Sequence, residues 1–114
     1  MTVQVRRIYE EPRTDDGARI LVDRLWPRGI SKERAHLDSW CKEIAPSTEL
    51  RRWYDHDPER FDEFAERYRA ELEDHADALA ELRERTAAGT VTLLTSTKSV
   101  DISHAAVLQQ VLSR

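Results

Sequence analysis

Cysteine occurs once, glycine three times and proline four times in these 114 residues, and each shortage excludes something. The single thiol, Cys41, permits neither an intrachain disulfide nor a cysteine-based zinc cage. Set in LDSWCKEI, it reads as a small buried hydrophobe rather than a nucleophile. No Gly-rich phosphate loop and no G-x-S-x-G elbow is present. No apolar run approaches the roughly 20 residues of a membrane span, and no charged-then-apolar leader opens the sequence, so the expectation is a cytoplasmic protein without a membrane partner. Positive charge is not in excess either. Eighteen basic against twenty-two acidic side chains give a formal charge of -4, which disfavours nucleic acid as a partner. The four histidines, His36, His56, His75 and His104, form no i,i+4 pair and no metalloprotease spacing, so neither a metal nor a cofactor is expected.

What is present is a soluble composition with 39% hydrophobic and 35% charged residues, enough for one modest core in a single domain spanning 1–114. VQVRRIY (3–9) alternates and is β-branched, a first strand with one irregular step. EEPRTDDG (10–17) is a loop. ARILVDRLW (18–26) is an apolar run suited to a strand covered on both faces, and TVTLLTS (90–96) is a third strand.

Between them the pattern is helical. Ser31 caps a short turn through KER, and HLDSWCKEI (36–44) spaces Leu37, Trp40, Cys41 and Ile44 as a helix would. Ser47 or Thr48 caps a helix through ELRRWY, and Asp57-Pro58 starts another whose face is Phe61, Phe64, Ala65, Tyr68 and Leu72. A helix from about Ala76 to Ala88 is stopped by Gly89 in the left-handed conformation, and Ser103 caps the last one. The order predicts an α/β fold: a small, mostly parallel sheet of three or four strands with helices on both faces. The first two strands are close enough in sequence to be antiparallel neighbours.

In such sheets ligands bind beyond the carboxyl ends of the strands. Asp23, Arg24 and Arg28 stand at the end of the second strand, and Ser96, Thr97, Lys98 and Ser99 at the end of the third. With the start of the last helix beside His104, they make an anion-binding constellation for a phosphate or carboxylate. Asp23 and His104 are the candidate catalytic residues, Asp23 as a general base if burial raised its pKa. The plainer reading is an acid paired with an arginine to end a strand, with Arg24 facing solvent. Arg51 and His56 join the ligand set if the loop carrying them folds over the cleft. Asp57 is better explained as a helix cap than as a ligand, and Trp26, Trp40 and Trp53 as packing residues than as base-stacking platforms.

The stretches VDRLWPRGISK, IAPSTELRRWYDHDPERFDEFAERYRAEL and VTLLTSTK resemble the YeaO-like branch of the domain-of-unknown-function family numbered 488. The likeness runs from about Arg7 to Leu112. It implies a compact α/β fold with two signatures, one holding Asp23, Arg24, Trp26, Pro27 and Arg28, the other running from Ser47 to Arg60, and it implies no established reaction. In TSTKSVDISHAAVL, Lys98 and His104 match the family, whereas Thr95, Ser99, Ile102 and Ser103 stand where Tyr, Asp, His and Asn are commoner. The departure weighs against acid/base chemistry shared with the family, while an anion site built on arginines survives it.

Two functions of different kind follow. One is a cleft for a small anionic ligand, with or without catalysis. The other is a non-enzymatic module whose charged helices 58–88 bind a partner or a second copy of the chain. A DNA-binding regulator is a third reading, opposed by the acidic balance and the lack of a basic recognition helix.

Overall fold

Four short strands, β1 (Val3–Arg7), β2 (Ala18–Leu21), β3 (Ser39–Trp40) and β4 (Val91–Thr95), form one sheet in the order β1-β4-β2-β3 in a computed structural model that describes residues 2–114. All neighbours are parallel. The α/β class is as the sequence predicts. β1 and β2 are not antiparallel partners, because the last strand of the chain enters between them, pairing Val5 with Leu93 on one side and Ile20 with Leu93 on the other.

Alternation along the strands divides the core in two. Ile20, Val22, Val91 and Leu93 face the helices α2 (Thr48–Tyr54), α3 (Phe61–Glu73), α4 (Ala76–Ala88) and α5 (His104–Leu112), which bury Leu50, Phe64, Tyr68, Leu82 and Leu108 against them. Leu21, Leu94 and Ile8 face the other way, under Trp26, Ile30, Leu37, Trp40 and the one-turn helix α1 (Lys32–Ala35). Helices therefore cover both faces unequally. No helix among the described residues is long and apolar enough to cross a membrane.

The thin face holds an ionic cluster. Buried Asp16 accepts from Arg19 Nη1 at 2.5 Å and stands 3.4 Å from Arg6 Nε, while Thr92 Oγ1 donates to the Asp16 carbonyl at 2.7 Å. Burial pushes the Asp16 carboxyl up, but the Arg13 N–H and the two guanidiniums outweigh it and hold the group below its ordinary range. The next residue, Gly17, has φ +64°, and a Cβ there would lie 2.1 Å from the Thr90 carbonyl oxygen. Gly17→Ala is thus expected to destabilise by about 2–4 kcal/mol, from strain and overlap together. Gly89→Ala is its control: nothing lies within 4 Å of a Cβ there, and a thermal melt should detect a change within about 0.5 kcal/mol.

The caps predicted at Ser31, Ser47, Asp57 and Ser103 all form, each side chain accepting a backbone N–H of the turn it begins. Three expectations fail. The strand expected over 18–26 ends at Leu21, and the residues beyond it form a loop. Residues 36–44 are not a helix: Ser39 and Trp40 pair with Ile20 and Leu21 as β3, and a single 3-10 turn occupies Lys42–Ile44. An open sheet edge beside β2 offers this segment backbone partners and overrides its helical spacing. Gly89 ends α4 in an extended conformation, φ 164° and ψ -164°, rather than a left-handed one.

Candidate functional site

The chain leaves β2 at Leu21, and Val22 N–H still bonds the Leu94 carbonyl at 3.0 Å, so Asp23 is the first residue free of the ladder. Its carboxylate bridges the ends of the two central strands. Oδ1 accepts from Thr95 Oγ1 at 2.7 Å, and Oδ2 accepts from Ser96 N–H at 2.8 Å and Ser96 Oγ at 2.9 Å. His104, at the start of α5, puts Nε2 3.0 Å from the Val22 carbonyl and 3.4 Å from Asp23 Oδ1. A carbonyl only accepts, so Nε2 carries a proton. Burial alone would raise the Asp23 carboxyl, but His104, the Ser96 N–H and the Thr95 hydroxyl together lower it below its ordinary value of 3.8. Such a group is ionised and fully bonded at neutral pH, the opposite of the raised pKa a general base would need.

The loop beyond Asp23 is pinned at several points. Trp40 Nε1 donates to the Asp23 carbonyl at 2.7 Å, Trp26 Nε1 donates to the Ile30 carbonyl at 2.8 Å, and the two indoles meet edge to face at 5.4 Å. Gly29, at φ +79°, turns the chain between them. The tryptophans are packing residues, as expected.

Opposite this loop stands α2. Ser47 donates to Glu71 of α3 through both N–H, at 2.8 Å, and Oγ, at 2.5 Å. Tyr54 stacks on Phe64 at 4.1 Å and donates to the Ile102 carbonyl at 2.6 Å. Asp55 and His56 follow in consecutive left-handed conformations, φ 47° and 55°, and turn the chain back over the strand ends.

The result is a cleft of about 990 Å³ at the carboxyl ends of the strands. Every site residue expected from the sequence lines it: Asp23, Arg24, Arg28, Arg51, His56, Ser96, Lys98 and His104. The sequence reading missed Arg7, at the carboxyl end of β1, and Arg52, beside Arg51 on α2. Applying the strand-end rule to β1 as well as β2 and β4 would have found Arg7.

Six cationic side chains, Arg7, Arg24, Arg28, Arg51, Arg52 and Lys98, thus line one cleft in a chain of formal charge -4. Among the described residues, no carboxylate comes within ion-pair distance of any of them. Arg24 is steadied only by Nη2 donating to the Ala45 and Pro46 carbonyls at 3.4 and 3.3 Å, and Arg7 by Nη2 donating to the Ser96 carbonyl at 3.3 Å. Their buried Nε atoms find no partner among the described residues. Carbonyls steady guanidiniums without neutralising them, which leaves donors and charge for an anion. Two expected roles change: Ser96 is committed to Asp23, and His104 turns inward to the sheet. No three His, Cys, Asp or Glu side chains converge among the described residues.

The family model described as the inactive DUF488-N3 subclade matches residues 2–114. An uncharacterized protein of Mycobacterium tuberculosis is 58% identical over 111 residues, covering 97% of this chain and 93% of its own. The uncharacterized protein YeaO of Escherichia coli is 44% identical over 108 residues, covering 95% and 94%. No solved structure matches the chain.

Proposed function

For a chain that belongs to the inactive DUF488-N3 subclade, we propose binding without turnover: the cleft holds a small molecule through a phosphate or carboxylate group. The observation that carries this reading is the set of six cations without a carboxylate partner on one concave surface. Arg24, Arg28 and Lys98 come from the strand ends and grip the anion from one wall. Arg51 from α2 and His56 from the turn that follows it close on the anion. Asp23 and His104 are positioning residues, because they fix the strand ends that carry the cations and their own bonds are directed into the protein. The description of the subclade as inactive accords with an Asp23 held as a bonded carboxylate.

A panel of inorganic phosphate, pyrophosphate, sugar phosphates, nucleotides and dicarboxylates tests this by thermal shift. A ligand at about 100 times its Kd stabilises by about 2.7 kcal/mol, which should raise Tm by more than about 10 °C in a chain of this size. Arg28→Ala should cut the rise to about half or less, since the Arg28 side chain is exposed and its loss leaves the fold intact. The absence of a shift from every anion would count against the reading. A mass in solution that grows with concentration and ignores Arg28→Ala would favour self-association through residues 58–88.

A further inference from the structure

Only two large apolar side chains are left exposed among the described residues, Tyr9 at 37% and Leu25 at 69%, and both line the cationic cleft. The rest of the chain has no shortage of polar surface, with 35% of its residues charged. A cleft that served a bare anion would gain nothing from an apolar wall, and one of about 990 Å³ lies at the upper end of the roughly 300–1,000 Å³ typical of small-molecule sites.

Nor does the exposure come from a slack loop. Leu25 sits between Arg24, whose guanidinium donates to the Ala45 and Pro46 carbonyls, and Trp26, whose indole donates to the Ile30 carbonyl. Tyr9 is held by its hydroxyl, which donates to the Arg28 carbonyl at 2.8 Å, and the Arg7 guanidinium carbon stands 4.9 Å from its ring centroid. An aromatic ring with a guanidinium on one side and an aliphatic side chain carried on a pinned loop thus line the same cleft, an apolar surface beside cationic groups.

Resting on the anion reading of this cleft, we infer that its ligand joins a phosphate or carboxylate to a planar aromatic group, which packs on Tyr9 and Leu25 while the anion meets the arginines. Nucleotides and simple aromatic phosphates share this chemistry.

Calorimetry on the full chain with two matched pairs tests it: ribose 5-phosphate against adenosine 5′-monophosphate, and methyl phosphate against phenyl phosphate. The aromatic member of at least one pair should bind roughly tenfold or more tightly, as stacking on an aromatic side chain predicts. A gain in the nucleotide pair alone identifies a nucleoside phosphate, and a gain in both identifies aromatic phosphates generally. Leu25→Ser, at a largely solvated position, should weaken the aromatic ligand about fivefold and leave ribose 5-phosphate unchanged. Equal affinities within both pairs, or equal weakening of aromatic and non-aromatic ligands by Leu25→Ser, would overturn the inference while leaving the anion site standing. If none of these phosphates binds and the carboxylates of the thermal-shift panel give no rise either, the anion reading fails first.

Discussion

Asp23→Ala is expected to cost about 3–5 kcal/mol, because it leaves several buried donors without their acceptor at about 1–3 kcal/mol each, and to lower Tm by more than about 10 °C. The loss is large because one carboxylate serves several donors at once. Without it the Ser96 N–H, the Ser96 and Thr95 hydroxyls and the His104 ring lose an acceptor where β2 and β4 end. Asp23→Asn keeps the shape and one acceptor oxygen, so it should cost less. The difference between wild type and Asp23→Asn also carries a pH signature. A carboxyl whose native pKa is lowered stabilises fully above its unfolded value of about 4, and the contribution disappears as the pH falls through the lower native value. The melts of the two proteins should therefore differ at neutral pH and converge in acid. A cost below about 1 kcal/mol for Asp23→Ala, or a gap that widens in acid, would contradict the role assigned to Asp23.

The second large effect is on binding. Removing Arg24 or Arg28 should weaken an anionic ligand roughly 10- to 100-fold each, as expected for a hydrogen bond to a charged group worth about 1.5–3 kcal/mol. Arg24→Lys should recover only part, because an ammonium keeps the charge but not the planar fork. Affinity should also fall with rising salt. Arg67→Ala controls for net charge: that guanidinium pairs with Glu63 and lies 4.4 Å over the Trp53 ring, outside the cleft. Titration calorimetry on the wild type and the four variants separates the cases. Equal affinity in Arg67→Ala and Arg28→Ala would mean that only overall charge matters.

Much of the site was legible because it follows from local rules. Ser47 and Ser103 mark the starts of α2 and α5 by their own chemistry, and Asp57-Pro58 opens the 3-10 turn Pro58–Arg60 that runs into α3, so all three helices can be placed before any contact is known. An apolar run ending in DRLWPRG places two arginines at a strand end, and the strand-end rule then brings them towards Ser96 and Lys98. What escaped depends on partners remote in sequence. Leu37, Trp40, Cys41 and Ile44 keep a helical period, yet Ser39 and Trp40 pair with β2 and the Trp40 indole bonds the Asp23 carbonyl, 17 residues away. Nothing local to Asp16 says that Arg6 will approach it from β1, or that Gly17 will be pressed against Thr90. The direction of the Asp23 shift was hidden for the same reason. Burial by itself raises a carboxyl, and the donors that reverse the sign arrive from β4 and α5, more than 70 residues on.

The central claim is that Arg24, Arg28 and Lys98 enclose an anion, and a crystal structure grown with pyrophosphate tests it most directly. The account predicts density for the anion among those three side chains, within hydrogen-bond reach of both guanidiniums. A map with an empty, solvent-filled cleft and the two arginines directed away from it would contradict the account, reducing DRLWPRG to the end of a strand.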